Sequence, residues 1–471
     1  MTEPSVADYL RYIEEKHSGK TAFSFIRKGN AIDISYSDFV SDVKRFASRL
    51  TAEYPDIHSR HIGLLAKNSY SYMVALLGIW FAGGVAVPLN TDEAASVLSE
   101  QIRFADVDCV FSDEAFLSSV FHSAEDVPCT VKWLEGYAKD WQTEASPSGK
   151  ALNEPILMLF TSGTTSKSKC VLHSQKALFT HLFLPVRGIK TVLFINPLFH
   201  MVGINCLVGG LYLGCSLTIN LSMKYLFRDM QKCEQVYAVP SIMEYIRKNL
   251  ARNGRNEVGD LKVIFTGGAP MRADSIQTFY DNGIRIYQNY SLSEAAGRGT
   301  TYPMTDPRKT ASVGQADEGT EISIQDGEIC LRSDNIMLGY YKNPEATAEA
   351  IRDGWLHTGD MGYLDEDGYL FITGRKKNLI ILDSGENISP ERIEALLSQN
   401  ELVREVIVKE KHHQVCAEIF CEEADQANIR AWVDNVNQSL AYYQHVTLVE
   451  FRSEPFEKTA SGKIKRPSLL L

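Results

Sequence analysis

Apolar residues along the chain recur with two periods, and together these periods predict a mixed α/β fold. YLRYIEEKHS and ISYSDFVSDVKRFASRLTAEY carry apolar residues at helical spacing. Short apolar runs that end in polar or turn residues are typical of buried strands, and they occur in HIGLLAKNS, TVLFINPL, QVYAVPS and LKVIFTGGAP. Helical segments such as SIMEYIRKNLARN lie between these runs, which predicts parallel layered sheets covered by helices. Functional sites in such folds gather where strands end.

From about Gly314 the pattern changes to short strands with tight turns. EISIQDGEICLRS and YLDEDGYLFITG each contain an Asp-Gly pair between apolar runs, which is typical of a β-hairpin. A chain of 471 residues with 44% hydrophobic side chains is too long for one ordinary core. We therefore predict an α/β protein with a large N-terminal domain of layered α/β subdomains plus a small β-barrel module at 1–375, followed by a small α+β C-terminal domain at 376–471.

The longest uncharged stretch, Tyr72 to Leu89, is nearly long enough to cross a bilayer. Gly83, Gly84 and Pro88 interrupt it, so a buried helix that runs into a strand is the preferred interpretation. The N-terminal sequence lacks the basic and apolar pattern of a signal peptide, and the nine cysteines form no C-x-x-C pair. We expect a reduced, cytoplasmic protein with no integral membrane segment.

The net charge of −11 offers no overall attraction for nucleic acid or for an anionic membrane, so a polyanionic ligand must be held by a local cluster of donors. LFTSGTTSKSK is a candidate cluster, because backbone N–H groups and hydroxyls of such a loop bind phosphate oxygens while lysine neutralises their charge. A polar surface turn is the alternative. The segment does not match a Walker loop, and Gly19, Lys20 and Thr21 lack the earlier glycine and the preceding strand, which disfavours P-loop kinases and GTPases.

Several later segments stand with this loop in the order found in one superfamily. They are NPLFH from Asn196, FTGGAP from Phe265, YQNYSLSE from Tyr287, WLHTGD from Trp355, GRKKNLIILDSGENISPERIE from Gly374 and KTASGKIKR from Lys458. In these motifs the chain resembles, over nearly its whole length, the superfamily of acyl-CoA synthetases, peptide-synthetase adenylation domains and firefly-type luciferases. The resemblance implies that ATP and Mg²⁺ are used to activate a carboxylic acid as an acyl-AMP, with CoA as the expected co-substrate.

The resemblance also implies residue roles. The ATP phosphates would be held by Thr161, Ser162, Gly163, Thr164, Thr165 and Lys169. The nucleotide and the acyl group would be bordered by Gly268, Ala269, Gln288, Asn289, Tyr290 and Ser293. Glu294 and Thr165 would bind magnesium, a cation that prefers oxygen ligands. Asp360 would accept hydrogen bonds from both ribose hydroxyls, and Arg375 would reach the ribose or the phosphates. The catalytic residues would be Lys463, Glu294 and His200, with Lys463 stabilising charge between the carboxylate and the α-phosphate.

Taken singly, these residues have simpler interpretations. Glu294 suits a helix start, Asp360 a turn beside glycine, and Lys463 a solvated basic tail. By resemblance the C-terminal domain is mobile and Lys377 is its hinge, so that rotation would remove Lys463 from the site. Rotation would also bring in the loop at Gly385, where a glycine lets the backbone approach a pantetheine chain closely. A simple turn is the alternative for Gly385.

The match departs from the family pattern in the phosphate loop. Ser166, Ser168 and Cys170 replace the usual glycine, proline and glycine, which bears on rate more than on reaction class. Cys170 is predicted to be a small buried or half-buried residue. His412 and His413 are predicted to form a surface turn rather than a zinc site, since neither has a partner ligand in the sequence.

The substrate pocket segment from Phe199 to Asn205 has no aspartate to pair with a substrate ammonium, which disfavours an α-amino acid. The resemblance to bacterial acyl-CoA ligases favours a medium or longer fatty acid, with an aryl acid second. Three functions stay open: an acyl-CoA ligase, a ligase that loads an acyl or peptidyl carrier protein, and a non-catalytic nucleotide- or acyl-binding protein. The joint presence of Asp360, Glu294 and Lys463 argues against the third.

Overall fold

The computed structural model describes residues 4–27, 30–161, 169–267, 273–306, 309–381, 387–458 and 464–466. Its α-helices are α1 Val6–His17, α2 Tyr36–Glu53, α3 Tyr70–Ala82, α4 Ala95–Phe104, α5 Glu114–Val120, α6 Gln175–Phe179, α7 Met201–Tyr212, α8 Leu226–Met230, α9 Pro240–Asn253, α10 Ala273–Asp281, α11 Pro344–Ala350, α12 Pro390–Leu397 and α13 Gln426–Asn437.

Its strands are β1 Thr21–Arg27, β2 Asn30–Ser35, β3 His61–Leu65, β4 Val85–Pro88, β5 Val107–Ser112, β6 Thr130–Trp133, β7 Pro155–Phe160, β8 Cys170–Ser174, β9 Thr191–Phe194, β10 Ser216–Ile219, β11 Gln235–Tyr237, β12 Val263–Gly267, β13 Arg285–Ser291, β14 Gly299–Tyr302, β15 Gln315–Ala316, β16 Glu321–Gln325, β17 Glu328–Arg332, β18 Gly339–Tyr340, β19 Ile351–Arg352, β20 Trp355–Leu364, β21 Leu370–Arg375, β22 Ile380–Ile381, β23 Asn387–Ile388, β24 Glu405–Lys411, β25 Gln414–Phe420 and β26 Val446–Arg452.

Two large sheets form the scaffold, as the alternating pattern predicts. One has the order β15-β14-β13-β12-β11-β9-β10-β1-β2, and the other has the order β18-β8-β7-β4-β3-β5-β6. Their central strands are parallel, and antiparallel strands lie at the edges, where β14 follows β13 and β8 follows β7. The carboxyl ends of β7 and β13 lead directly into two of the predicted site segments, which is where parallel sheets present their ligand sites.

Helices α1, α2, α3 and α7 contribute to one hydrophobic core that includes side chains from both large sheets. The uncharged stretch predicted to be a buried helix running into a strand is α3 followed by β4. Every α3 residue from Tyr72 to Ala82 is buried, and Gly83 ends the helix in the left-handed region at φ 89°. Within the described residues, no helix combines the length and apolar character needed to cross a bilayer.

The β module predicted after Gly314 is a five-stranded sheet in which β16, β17, β20 and β19 are consecutive neighbours and β21 also pairs with β20. Its pairings are antiparallel. Asp326 and Gly327 connect β16 to β17 with φ angles of 49° and 78°. Positive φ at both turn residues is what an Asp-Gly hairpin requires, so this prediction is confirmed.

The C-terminal segment has a hydrophobic cluster of its own, built from β22–β26, α12 and α13. Strands β24 and β25 form an antiparallel hairpin, and β26 adds to β25 in parallel. His412 and His413 occupy the hairpin turn with φ angles of 54° and 60°. Their prediction as a turn is therefore confirmed, whereas the domain boundary at 375 and the hinge at Lys377 stay predictions.

Candidate active site

The predicted phosphate loop leaves the scaffold and returns to it at one point. Thr161 follows β7 and Lys169 precedes β8, and these strands pair with Phe160 opposite Cys170. The Thr161 N–H donates to the Lys169 carbonyl oxygen at 2.9 Å, and the Thr161 hydroxyl lies 3.3 Å from the same oxygen. Residues 162–168 lie outside the described ranges. The loop is thus closed at its base by the two residues that the sequence assigns to its ends. Cys170 is buried, as predicted, and burial raises the pKa of its thiol to about 12.

Tyr340 connects the loop lysine to the predicted magnesium carboxylate. The Lys169 Nζ lies 4.5 Å from the centroid of the Tyr340 ring, a cation–π distance. The Tyr340 hydroxyl donates to Glu294 Oε1 at 2.8 Å. Burial, reinforced by the negative charge of Glu294, raises the pKa of Tyr340 well above its ordinary value. The phenol therefore stays protonated and holds one oxygen of Glu294 in place.

A buried histidine fixes the turn that carries Glu294. His173 on β8 is fully buried, and its Nε2 lies 2.7 Å from the Ser293 carbonyl oxygen. A carbonyl oxygen only accepts, so Nε2 carries the proton, while Nδ1 has no hydrogen-bond partner among the described residues. Burial lowers the pKa of His173 to about 4. The neutral ring thus ties the strand leaving the phosphate loop to the turn at 293–295.

Strand β13 supplies three predicted nucleotide contacts in sequence. Gln288, Asn289 and Tyr290 are 4%, 5% and 8% exposed, and Gln288 Oε1 has no hydrogen-bond partner within the described part of the chain. Tyr237 donates a hydrogen bond to Asn289 Oδ1. A Cβ on Gly267, at the end of β12, would lie 2.5 Å from that same oxygen, so this position requires glycine. The carboxyl ends of β12 and β13 therefore form a closely packed polar wall.

Asp360 lies against this wall and is only 5% exposed. Its Oδ2 accepts the Tyr290 hydroxyl at 2.7 Å, and its Oδ1 lies 2.6 Å from Arg375 Nε. Burial lowers the pKa of Lys377, and the positive charges of Arg375 and Lys169 lower it further, against the opposing effect of Asp360. Arg375 thus pairs directly with Asp360, and Lys169 and Arg375 lie near enough to Lys377 for their charges to act on it. In a chain with a net charge of −11, such a local group of cations is what binding of a polyanion would require.

His200 directly precedes α7, and its ring lies 4.6 Å from that of Phe199. Helix α7 packs on the segment after Glu294, because Asn205 Nδ2 donates to the Ala296 carbonyl oxygen at 2.9 Å. These contacts place His200 at the start of a helix that supports the site. Its catalytic role stays a prediction.

The remaining predicted site residues lie outside the described ranges: Ser162, Gly163, Thr164, Thr165, Gly268, Ala269, Gly385 and Lys463. Lys463 directly precedes Ile464, which forms an antiparallel bridge with Lys458. Residues that the sequence interpretation missed are Tyr340, His173 and Tyr237. None stands in a recognised motif position, because each acts through a contact made across strands.

Magnesium suits this donor set. Within the described residues, no three His, Cys, Asp or Glu side chains cluster as metal ligands. Mg²⁺ is commonly held by one or two carboxylates together with substrate phosphates and water. Glu294 offers a carboxylate, oriented by Tyr340, beside the base of the phosphate loop.

Comparisons with known proteins give matches over most of the chain. The model of the family described as AMP-binding enzyme matches residues 10–341. A 2-succinylbenzoate–CoA ligase of Bacillus thuringiensis subsp. konkukian is 31% identical over 449 residues, which cover 88% of this chain and 90% of that protein. A long-chain-fatty-acid–CoA ligase of Mycobacterium tuberculosis is 27% identical over 483 residues, covering 95% of this chain and 94% of that protein.

Solved structures have the same fold. The O-succinylbenzoate CoA synthetase of Bacillus subtilis in complex with AMP has a TM-score of 0.85 at 22% identity, covering 98% of each chain. The same enzyme in complex with ATP and magnesium ion has a TM-score of 0.83 at 21% identity, covering 97% of this chain and 98% of that one. The α/β fold class predicted from the sequence is therefore confirmed.

Proposed function

This chain belongs to the AMP-binding enzyme family, and on that premise we propose which of its residues activate the carboxylic acid and which acid they accept. The protein is an AMP-forming acid–thiol ligase that uses ATP. It joins a carboxylic acid to AMP and then transfers the acyl group to a thiol. The observation that carries the residue assignment is the contact network that joins Lys169 to Glu294 through Tyr340 and joins Tyr290 to Arg375 through Asp360.

In the first half-reaction, a carboxylate oxygen of the acid attacks the α-phosphorus of ATP, and the bond to the bridging oxygen breaks, releasing pyrophosphate. We assign the phosphates to Lys169 and to Thr161, Ser162, Gly163, Thr164 and Thr165. A polyphosphate placed there meets Lys169, Arg375 and Lys377, whose charges are grouped around the site. Such charge-assisted contacts are the strong ones for phosphate.

The nucleoside is assigned to the wall formed by Gln288, Asn289, Tyr290 and Asp360, with Gly268, Ala269 and Ser293 beside it. Asp360 accepts the ribose hydroxyls, and Tyr290 and Arg375 hold its carboxylate in position. A buried carboxylate with two fixed donors is preorganised to accept further hydrogen bonds, since each of its oxygens has more than one acceptor site.

Magnesium is assigned to Glu294 and Thr165. When bound, it neutralises phosphate charge that would otherwise oppose the approach of the carboxylate. Tyr340 keeps the Glu294 carboxylate oriented, and His173 fixes the backbone that carries it. Lys463 contributes a positive charge between the carboxylate and the α-phosphate, and His200 borders the acyl side.

In the second half-reaction, the thiol sulfur attacks the acyl carbonyl carbon, AMP leaves, and the thiol proton passes to solvent. We propose CoA as the thiol, in agreement with the CoA ligases among the relatives. Residues 376–471 would form the moving domain, with Lys377 as its hinge and Gly385 near the pantetheine chain. The separate hydrophobic cluster of β22–β26, α12 and α13 supports a body that can turn as a unit.

The proposed substrate is an aryl acid or a medium or longer fatty acid, the two classes that the relatives' names represent. A panel of aryl, fatty and amino acids, each assayed for pyrophosphate release from ATP with and without CoA, tests this proposal. We expect release with one class of acid and, when CoA is added, equal amounts of AMP and acyl-CoA. Adenylate that CoA does not convert would assign the acceptor to a carrier protein, and no release with any acid would reject the ligase assignment.

A further inference from the structure

A cavity of about 300 Å³ lies on the site's own sheet, next to the strand segment that carries Asn289. Its walls are mainly aromatic and aliphatic, with one buried cation. The wall residues that matter here are Phe183, Val186, Phe265, Tyr287, Arg298 and Thr301. A volume of this size holds roughly ten water molecules. It therefore suits a compact group such as an aromatic ring with a short polar arm.

The strand register connects this cavity to the active site. Phe265 stands opposite Tyr287, and two residues further along the same strands Gly267 stands opposite Asn289. Side chains two residues apart share a face of the sheet and lie about 7 Å apart. Thr301 on β14 is the partner of Asn289 on the other side. We therefore expect an acid whose reacting carboxylate lies near the nucleotide to extend its far end along this face into the cavity.

Arg298 is the unusual member of the lining. It is only 8% exposed, and its Nε has no hydrogen-bond partner among the described residues. A carboxylate oxygen of Asp317 lies 3.6 Å from a terminal nitrogen of its guanidinium. Asp317 already accepts the Gly299 N–H at 3.1 Å and the Thr301 hydroxyl at 2.8 Å. Within the described part of the chain, the buried guanidinium therefore has an incomplete set of partners.

Burying a charged group without hydrogen-bond partners lowers the stability of the folded state. A buried donor that lacks an acceptor loses the hydrogen bonds that water would give it, and a buried charge costs more. Burial lowers the pKa of Arg298 below its ordinary value, although the negative charges of Asp317 and Glu318 oppose this change. Arginine nevertheless remains charged at neutral pH. An anion arriving in the cavity would satisfy the Nε and the charge together.

We propose that Arg298 binds a second anionic group of the acid substrate, at the end remote from the carboxylate that is adenylated. This inference rests on the proposed ligase function. The rings of Phe183, Phe265 and Tyr287 would pack against a compact apolar or aromatic body between the two acidic groups. A plain fatty acid would instead place its methyl end against a guanidinium that it cannot satisfy. The preferred substrate class is therefore a diacid rather than a simple fatty acid.

A matched pair of acids tests the proposal: benzoylpropionate and its ortho-carboxylated counterpart, which differ only in the second carboxylate. We expect the wild-type enzyme to release pyrophosphate with a kcat/KM roughly tenfold or more higher for the diacid, the worth of one charge-assisted hydrogen bond. Arg298→Gln should abolish this preference and leave the rate with the monoacid within about twofold. Arg298→Lys, which keeps the positive charge, should retain part of the preference for the diacid.

Arg187→Gln is the control, because Arg187 lies on the exposed rim of the same cavity. The Arg187→Gln variant should keep the preference for the diacid over the monoacid. Arg298→Gln should also fold, since Asp317 retains the Gly299 and Thr301 donors, and its melting temperature checks this. Equal use of both acids by the wild type would overturn the proposal. So would equal loss of both activities in Arg298→Gln, which is the result expected of a merely structural arginine.

Direct binding separates failure of this proposal from failure of the ligase function. Calorimetric titration without ATP should detect the diacid on the wild type and not on Arg298→Gln. Selective binding without pyrophosphate release would keep the anion site and reject the ligase. Pyrophosphate release without any preference for the diacid would keep the ligase and reject the anion site.

Discussion

Replacing His173 by glutamine should remove an acid-sensitive contribution to folding stability. The ring is fully buried and donates from Nε2 to the Ser293 carbonyl oxygen. Glutamine places an amide N–H near the position of Nε2, so it can keep this hydrogen bond while removing the titrating group. The variant therefore isolates protonation of the ring from loss of the contact.

The size of the effect follows from the difference between two pKa values. Burial lowers the pKa of His173 from 6.5 to about 4 in the folded chain, and the unfolded chain keeps the ordinary value. Between these values the unfolded state binds more protons, so acid favours unfolding. The neutral ring of His173 therefore makes its full contribution to folding stability above the pKa of the unfolded chain. This contribution is lost as the pH falls toward the pKa of about 4 in the folded chain. The loss amounts to about 2 kcal/mol at pH 5 and about 3 kcal/mol in full.

Urea unfolding at pH 7 and pH 5, followed by tryptophan fluorescence, measures this difference. The wild type should lose about 2 kcal/mol more than His173→Gln on acidification. Equal losses in the two proteins would refute the assignment of a neutral, acid-sensitive ring. His173→Leu adds a functional control, because it lacks the donor. It should lower the rate of pyrophosphate release, whereas His173→Gln should stay near wild type, since only the leucine variant frees the turn that carries Glu294.

Three further predictions concern the nucleotide site and the moving domain. Tyr290→Phe removes one hydrogen bond to Asp360, and steady-state kinetics should show the KM for ATP raised about fivefold; an unchanged KM would remove Tyr290 from ribose recognition. Lys463→Ala should abolish acyl-AMP formation but spare thioester formation from supplied acyl-AMP, and equal loss of both would reject its role in the first half-reaction alone. Lys377→Pro should slow thioester formation more than adenylation, because proline stiffens the backbone, and unaffected transfer would argue against a hinge there.

Features set by local sequence were predictable. The end of α3 depends on Gly83, which adopts φ 89° and lets the chain turn from a fully buried helix into β4. The hairpin of β16 and β17 depends on Asp326 and Gly327, both at positive φ. Neighbouring residues alone specify each of these features, so short segments of sequence are sufficient to predict them.

Contacts made across distant segments were not predictable in this way. Tyr340 and Tyr341 are adjacent and chemically identical, yet the Tyr340 hydroxyl donates to Glu294 and the Tyr341 hydroxyl donates to Asp106. The pairing of β18 with β8 decides which of them faces the site. Successive side chains of a strand point to opposite faces, so a shift of one residue would exchange their roles.

The second anionic group that we propose for the substrate could not be predicted from the sequence. Motif resemblance favours a fatty acid, whereas the cavity contains a buried arginine. In the sequence AAGRGTT, Arg298 has no feature that separates it from an ordinary surface arginine. Its burial, and the lack of a partner for its Nε among the described residues, arise only when β14 packs beside β13 and Asp317 is engaged by Gly299 and Thr301.

Exchange of labelled pyrophosphate into ATP, measured without CoA, tests the central claim most directly. Adenylation is reversible, so an enzyme that forms an acyl-AMP returns label to ATP only when its carboxylic acid is present. We predict exchange that depends on the acid and on magnesium, and that falls strongly in Glu294→Gln. Exchange that is independent of any acid, or absent with every acid of the panel, would contradict the assignment of this site to carboxylate adenylation.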